Sequence, residues 1–396
     1  MSGVRWPAAG LVTLVLAAAC GGSGHHPAAP ASAPRITGRL ATSGDRIVNA
    51  VGATVRLIGV DEPGLISGAG NDRATHPDVC GDGWRLPAPT EYRDVARAGF
   101  NSVRLGLSWA NLEPTPPHTD SAGSVAHRWN RPYLEALDRA VAGFTRAGVA
   151  VILDMHQNHM SPAFKSPVPD RCQGSGLPTW VYPDTSIGAT RAECDFFADR
   201  REAGVPVGVQ AGYAHAWIKV VRRYAANPMV VGADLFNEPS AGKCPGLDVT
   251  PFYRELGAHI RRIDPHLLLI CQAGSGPDGG TALHEPVGLP GWVYSFHTYL
   301  RPGQRAGAAL GGSFQPAARW HVPVWVGELG VYHRGPAAGA VPPGMSGEIR
   351  AVVAALRRHG AGWAFHQYAG GSVALTSRAS GEVLHADWLA ALRSGY

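Results

Sequence analysis

Two glutamates of this sequence each stand at the end of an apolar segment. Glu238 ends Leu-Phe-Asn-Glu and is followed by proline, and Glu328 ends Trp-Val-Gly-Glu. Cleavage of a glycosidic bond with retention needs a carboxylic acid to protonate the leaving oxygen and a carboxylate to attack the anomeric carbon, roughly 5 Å apart. The two glutamates can do this chemistry if the fold brings both segments to one opening.

Other polar or aromatic residues also stand where apolar segments end. A single arginine or histidine in such a position is usually a satisfied polar group at a strand terminus. Their recurrence at successive segment ends favours a shared site. In chain order these residues are Arg104, His156, Asn237, His297, Tyr299 and Trp363.

The segments that carry these residues belong to a repeated unit of apolar strand, loop and helix, in which the helices have apolar residues three and four positions apart. Strands are predicted over residues 55–60, 101–107, 149–155, 230–236, 267–272, 292–297, 322–327 and 362–367. Helices are predicted over residues 90–98, 131–147, 208–226, 251–263 and 346–359.

Apolar strands separated by helices indicate a parallel sheet that is buried on both faces. Eight units predict an α/β fold of the (β/α)8 TIM-barrel type, in which functional residues lie at the C-terminal ends of the strands. Residues 46–60 predict a short β-hairpin before the barrel, with a turn at 49–52. An open doubly wound sheet is the alternative, but the first strand-to-helix loop lacks the glycine fingerprint of nucleotide binding.

The N-terminus has the pattern of an export signal. One charge, Arg5, precedes an apolar stretch over 11–19 that is too short to span a bilayer. Small residues then run into Cys20, so we expect residues 1–19 to be a signal peptide of the lipoprotein type with Cys20 lipidated; ordinary cleavage near Ala19 is the alternative. Residues 20–34 are predicted to form a flexible tether, and residues 35–396 are predicted to form the TIM-barrel domain.

Charge and cysteine content narrow the function classes. The formal charge of +5 comes from basic residues spread along the chain, whereas nucleic-acid binding proteins usually cluster them, so no nucleic-acid partner is expected. Export permits disulfides. The sequence-based pairing is Cys172 with Cys194, followed by Cys244 with Cys271, and without a Cys-x-x-Cys pair no thiolate metal site is predicted.

The motifs resemble those of glycoside hydrolase family 5, the cellulase-like clan of barrel glycosidases. Asn237-Glu238-Pro239 is similar to the family's Asn-Glu-Pro, which contains its acid/base, and Glu328 is similar to its strand-seven nucleophile. The resemblance extends over nearly the whole folded part. Similar to the family's other active-site positions are Arg104, His156, His297, Tyr299 and Trp363.

Chemical reasons can be given for each of these positions. Asn237 can donate a hydrogen bond to the sugar 2-hydroxyl, which strengthens in the transition state. Arg104 beside the nucleophile would favour its ionised form, and Tyr299 can orient the same carboxylate. We further expect His156 and His297 to bind sugar hydroxyls and Trp363 to offer its flat face to a pyranose ring.

Within the family, Arg104-Leu-Gly-Leu-Ser-Trp109 and Leu153-Asp-Met-His-Gln157 look most like the endoglycoceramidase-related members, which cleave between an oligosaccharide and ceramide. The sequence departs from them at Asn158, where the family has aspartate. It also has Cys-Gln-Ala where Glu-Pro usually follows strand five. The reaction class survives these departures, but the substrate does not follow from the resemblance.

The sequence therefore predicts a retaining β-glycoside hydrolase without a cofactor, monomeric, whose contact with the membrane is a lipid anchor alone. An insertion over 161–206 carries aromatic residues that either wall the cleft for an apolar aglycone or pack the insertion onto the barrel: Phe164, Trp180, Tyr182, Phe196 and Phe197. We expect a glycolipid or another apolar β-glycoside as substrate. Alternatives are an endo-β-glucanase, a non-catalytic glycan-binding envelope lipoprotein, or a metal site at Asp154, His156 and His159.

Overall fold

The structure is a computed structural model. Besides Met1, it describes residues 33–66, 84–121, 124–164, 175–239, 244–274, 282–332, 344–370 and 373–396. The predicted signal peptide, Cys20 and residues 20–32 of the predicted tether lie outside these ranges, as do Cys80 and Cys172. Ala33 and Pro34, which were predicted as tether, already belong to the fold, because Ala33 N donates to Gly99 O and Pro34 O accepts from Asn101.

The strands of the described residues fall into one barrel and three small two-stranded sheets. In chain order they are β1 (Leu40–Ser43), β2 (Arg46–Asn49), β3 (Ile58–Glu62), β4 (Ser102–Leu107), β5 (His118–Thr119), β6 (Val125–Ala126), β7 (Ala150–Met155), β8 (Val230–Asp234), β9 (Leu268–Gln272), β10 (Trp292–Leu300), β11 (Val324–Val331), β12 (Gly362–His366), β13 (Ala369–Gly370) and β14 (Thr376–Ser377).

The helices surround the barrel strands. In chain order they are α1 (Glu91–Arg97), α2 (Trp109–Leu112), α3 (Arg131–Arg146), α4 (Gly188–Phe197), α5 (Val209–Tyr224), α6 (Thr250–Arg261), α7 (Ala306–Leu310), α8 (Gln315–Trp320), α9 (Met345–Arg358) and α10 (Ala386–Arg393).

The predicted barrel is confirmed. Strands β3, β4, β7, β8, β9, β10, β11 and β12 pair in parallel in this order, and β12 pairs with β3 to close the ring. Gly99, Gly148 and Gly360 directly follow the predicted helix ranges 90–98, 131–147 and 346–359. Their φ angles of 93°, 80° and 67° are in the left-handed conformation that ends helices. Every loop after a strand therefore opens toward the same end of the barrel.

The N-terminal hairpin closes the opposite end. Strand β1 pairs with β2, and the predicted turn forms directly after β2, where Gly52 N donates to Asn49 O over 2.9 Å. Ile36, Leu40 and Ile47 of this segment pack on apolar residues that point into the barrel. That apolar layer, which we call the floor, also contains Leu57, Ala150, Ile152, Val231, Leu268, Ile270, Val293, Trp325 and Ala364.

Both predicted disulfide pairings are wrong. Cys194, on α4 within the insertion, bonds Cys244, which lies in the loop after β8, with the two Cα atoms 5.5 Å apart. Cys271 is a free thiol buried in β9, and burial raises its pKa well above its usual value. The pairing by proximity in sequence failed because α4 carries Cys194 across the barrel rim. Closing this 50-residue loop stabilises the fold by about 4 kcal/mol.

Candidate active site

The strand register collects acidic side chains around Arg104 at the loop end of the barrel. Arg104 on β4 pairs with Asp61 on β3, and Asp154 on β7 pairs with Asp234 on β8. The guanidinium reaches Asp234 Oδ2 and Glu328 Oε1 over 2.8 Å each and Asp154 Oδ1 over 3.0 Å. Burial alone would lower the pKa of Arg104, but the surrounding carboxylates raise it well above its usual value. Arg104 is thus a permanent cation.

Glu328 is held in its ionised form by the groups around it. Its Oε1 accepts from Arg104 and its Oε2 accepts from the hydroxyl of Tyr299. Burial alone would raise the pKa of Glu328, but His297, His366 and Arg104 hold it well below the usual range. Burial raises the pKa of Tyr299, and Glu328 raises it further, so the phenol keeps its proton and goes on donating. A fixed, charged carboxylate suits a nucleophile.

Glu238 is presented to the opening by a strained backbone. Its φ of 46° lies in the left-handed region, which is unfavourable by roughly 1–2 kcal/mol for a residue with a Cβ. Gln272 Oε1 accepts from Glu238 N over 3.0 Å, and Gln157 Nε2 donates to Asn237 O over 2.6 Å. Two neighbouring strand ends therefore fix the conformation, and the Glu238 side chain remains 33% exposed.

The carboxylates of Glu238 and Glu328 lie close together across the opening. One oxygen from each, with a nitrogen of His297, form a group whose atoms all lie within 4.8 Å of one another. His297 Nδ1 is 2.8 Å from Glu238 Oε1 and 3.6 Å from Glu328 Oε2. Burial lowers the pKa of His297, but Glu328 and Glu238 raise it above its ordinary value. The separation between the Glu238 and Glu328 carboxylates is short for an inverting enzyme, in which the two carboxyl groups lie roughly 6.5–9.5 Å apart.

His156 and Asn237 join the same cluster. His156 Nδ1 lies 2.8 Å from Asp154 Oδ2, which orients the ring toward Asn237. Asn237 Oδ1 accepts from Arg104 over 2.8 Å and its Nδ2 donates to the Gln157 carbonyl over 2.9 Å. The same Nδ2 also lies 3.4 Å from His156 Nε2. The proposed hydrogen bond to a sugar 2-hydroxyl stays a prediction.

Trp363 does not reach the site. It is fully buried on the outer face of β12 and packs against Phe100 and Tyr396, with ring centroids 6.3 and 6.4 Å away. Its expected contact with a pyranose ring is therefore wrong. Because side chains alternate along a strand, the residue that faces the opening from β12 is His366, three positions further on.

Two residues of the site were missed from the sequence, Asp61 and His366. His366 Nδ1 lies 3.0 Å from Asp61 Oδ2 and 3.8 Å from Glu328 Oε2. Burial would lower the pKa of His366, but Glu328 and Asp61 raise it to about 9. Burial raises the pKa of Asp61. Both residues end predicted strands, so the rule that identified the other site residues applied to them too.

The aromatic residues of the insertion mainly pack it onto the barrel. Phe164, Tyr182 and Phe196 are buried, and Phe196 contacts Phe236 and Phe252 with ring centroids 5.1 and 5.3 Å away. Trp180 and Phe197 keep partial exposure. Of the two alternatives from the sequence, packing describes these side chains better than an apolar wall.

In the part of the chain that the structure describes, two groups of side chains have the composition of a metal site: Glu238 with His297 and Glu328, and Asp61 with His366 and Glu328. In each group the imidazole Nδ1 lies within hydrogen-bond distance of a carboxylate oxygen. The pKa of each histidine is raised above its ordinary value, so a metal would have to displace a proton from the ring. Among the described residues, His159 joins no such group.

Comparison with known proteins agrees with this geometry. The family described as Cellulase (glycosyl hydrolase family 5) matches residues 73–372, most of the chain. Endoglycoceramidase I of Rhodococcus hoagii is 27% identical over 244 residues, which is 53% of this chain and 41% of that protein. The chain thus spans about two fifths of the length of this relative.

Solved structures share the fold. The crystal structure of an endogalactoceramidase superposes with a TM-score of 0.70 at 24% identity, covering 90% of this chain and 85% of the other. The endo-glycoceramidase II of a Rhodococcus species, solved as a complex with ganglioside GM3, superposes with a TM-score of 0.57 at 22% identity, covering 88% and 81%.

Proposed function

This chain belongs to glycosyl hydrolase family 5, the Cellulase family, and we propose on that premise that it hydrolyses a β-glycosidic bond with retention of anomeric configuration. Glu328 acts as the nucleophile and Glu238 as the acid/base. The observation that carries the proposal is that one carboxylate oxygen of Glu238, in the loop after β8, and one of Glu328, on β11, lie within 4.8 Å of each other. This fits the separation expected of a retaining enzyme.

In the first step, a Glu328 oxygen attacks the anomeric carbon while the bond to the leaving oxygen breaks. Glu238 gives its proton to that oxygen, so the aglycone departs as a neutral alcohol. Positive charge develops on the sugar in the transition state, and the carboxylates around Arg104 stabilise it. The product of this step is a glycosyl ester on Glu328.

In the second step, the Glu238 carboxylate takes a proton from water, and the water oxygen attacks the same carbon. The ester bond breaks and Glu328 leaves as a carboxylate. Its departure is favoured because Arg104, Tyr299 and His297 are already arranged around the charged form. Two inversions give net retention.

Proton NMR of the first-formed sugar tests the stereochemistry, and an inverted first product contradicts the mechanism. Azide rescue tests the two roles separately. With Glu238→Ala, azide should replace water in the second step and yield a β-glycosyl azide. With Glu328→Ala, azide should attack in place of the carboxylate and yield the α-glycosyl azide. Exchanged products would exchange the two roles.

We propose a β-glycoside with an apolar aglycone, such as a glycolipid, as the substrate class. The support is the relationship to proteins named endoglycoceramidase and to a structure that holds ganglioside GM3. The test compares kcat/KM on a glycosphingolipid and a hydrophobic aryl glycoside with that on carboxymethylcellulose. Faster cleavage of the glucan would instead favour an endo-β-glucanase.

We also propose that the chain is exported and anchored through a lipid on Cys20. The sequence around Cys20 supports this, and the Cys194–Cys244 disulfide fits an oxidising compartment. Among the described residues, no helix has the length and apolar character to cross a bilayer. Processing that globomycin blocks, with partition into the detergent phase, is expected; a soluble mature protein without Cys20 would contradict the anchor.

A further inference from the structure

A small pocket opens beside Glu328 between the ends of β3, β4, β7 and β12. Its polar walls are formed by Asp61, Glu62, Arg104, Asp154, His156 and His366. Its volume of about 10 Å³ is that of roughly one water-sized sphere. The pocket is therefore large enough for one hydroxyl group and too small for a sugar ring.

The apolar side of this pocket is closed by a close backbone approach. Ile66 packs on Gly106, where a Cβ atom would lie 2.5 Å from the Ile66 Cδ1. Any larger residue at 106 would displace Ile66, so the pocket depends on this glycine. The size of the pocket is consequently fixed by the fold.

Unused hydrogen-bonding capacity points to what this pocket takes. Asp61 is 2% exposed, and its Oδ1 is buried without a hydrogen-bond partner. A buried acceptor left unpaired is unfavourable, so this oxygen is suited to accept from a ligand. The His366 side chain is 27% exposed, and its Nδ1 contacts Asp61 Oδ2. Its Nε2 can therefore bind a ligand. The raised pKa of His366 keeps a proton on Nε2 near neutral pH.

One acceptor and one donor on residues that line the same pocket match a hydroxyl, which donates and accepts at once. The position of the pocket says which hydroxyl-bearing ring is meant. His366 Nδ1 lies 3.8 Å from Glu328 Oε2, so a group held by His366 belongs to the sugar whose anomeric carbon Glu328 attacks.

We propose that Asp61 and His366 form a subsite for a single hydroxyl of that sugar, with Asp61 Oδ1 accepting from it and His366 Nε2 donating to it. The inference rests on the proposed glycosidase function, because that function places the sugar against Glu328. It assigns to this pair the discrimination between sugars that differ in the presence of that hydroxyl.

Monodeoxy substrates test the subsite. We would measure kcat/KM for 4-nitrophenyl β-D-glucoside and β-D-galactoside and for their 3-, 4- and 6-deoxy analogues. In the wild type, one deoxy position should lose roughly 10- to 100-fold, the effect of a hydrogen bond to a charged group. In His366→Phe and Asp61→Asn, the parent sugar should fall while that deoxy analogue changes little, so that the ratio approaches one.

His359→Phe is the matched control, because His359 stacks on Phe314 at the C-terminal end of α9, away from the site. It should keep every wild-type ratio. If His366→Phe lowers all substrates by one common factor, the residue acts only on the structure and the subsite is refuted.

A binding measurement separates failure of the subsite from failure of the proposed function. If the wild type cleaves none of the glycosides, the proposed function is refuted, and titration with methyl β-glycosides and their deoxy analogues still decides the subsite. Equal affinity of wild type and His366→Phe for every analogue, including absence of binding to both, would overturn it. Loss of one hydroxyl's contribution in the variant alone would support it.

Discussion

The two ends of the barrel interior are built from opposite chemistry, although the same strands supply both. Strand β7 gives Ile152 to the floor and, two residues later, Asp154 to the site. Strand β9 does the same with Ile270 and Gln272, whose amide donates to Asp234 over 2.9 Å. Residues two apart on a strand face the same side, so the change from apolar to ionic happens within one step along the barrel axis.

This difference separates stability from reactivity. Burial of apolar area at the floor stabilises by about 25 cal/mol per Å², and nothing there titrates. At the opening, buried carboxylates outnumber the guanidinium of Arg104, and Asp61 Oδ1 and His297 Nε2 have no hydrogen-bond partner. Unpaired polar atoms and a left-handed Glu238 are unfavourable for folding, and the floor and outer helices offset them.

The largest effect is expected from removing the charge that balances the opening. Arg104→Met leaves buried carboxylates uncompensated, which should destabilise the fold by about 3–5 kcal/mol and abolish measurable hydrolysis. Arg104→Lys keeps the charge but loses the fork of donors, so it should recover much of the stability and little activity. Urea unfolding and kcat/KM measure the two effects. A fully stable Arg104→Met variant would show that the cluster is balanced elsewhere.

The floor should show the reverse pattern. Ile152→Ala leaves a cavity in a fully buried layer, and such truncations cost about 2–5 kcal/mol. Because the floor contributes no charge to the site, kcat/KM below the unfolding transition should stay within about twofold of the wild type, and Ile152→Val should fall between the two in stability. A large loss of kcat/KM in a folded Ile152→Ala protein would break the proposed separation.

The features that the sequence predicted correctly are local ones, and the disulfide pairing that it missed depends on how distant segments pack. The barrel strands were predictable because apolar periodicity is a local signal. The pairing of Cys194 with Cys244 was not, because it depends on where α4 lies. His366 was missed because the resemblance directed attention to Trp363, whereas the alternation of side chains places the two on different faces of β12.

Raising the pH should reduce the contribution of the residues at the opening to the stability of the fold and leave the contribution of the floor unchanged. The pKa of His366 is raised to about 9, above its ordinary value, so its stabilisation is present below about pH 6.5 and is lost as pH rises through 9. Burial raises the pKa of Glu91 to about 9, so the stability that this residue contributes also falls as pH rises toward 9. The reason is that its buried carboxyl is destabilised when it ionises. One pKa unit corresponds to about 1.4 kcal/mol, so we expect each of the two groups to lose roughly 3 kcal/mol of stabilisation between pH 6.5 and 9.5.

Urea unfolding at both pH values measures this loss. His366→Phe and Glu91→Gln should each flatten the dependence, while Ile152→Ala, less stable throughout, should keep the wild-type slope. A flat wild-type profile would mean that neither group carries the pKa that the geometry gives it.

The smallest effect is expected at Trp363, which lies on the outer face of β12 and belongs to neither end. Its indole is fully buried and its Nε1 has no hydrogen-bond partner. Trp363→Phe removes apolar area but also removes an unpaired donor, whose burial is itself unfavourable. The two changes oppose each other, so the net loss should stay below about 1.5 kcal/mol, the range of conservative core substitutions. The contacts with Phe100 and Tyr396 would be kept in part by the smaller ring.

Since Trp363 does not face the opening, KM for every glycoside should equal that of the wild type. If Trp363 instead stacked on a sugar ring, its replacement by the smaller phenylalanine would raise KM. A raised KM with unchanged stability would show that Trp363 contacts the substrate. It would contradict the assignment of His366 as the β12 residue that faces the opening.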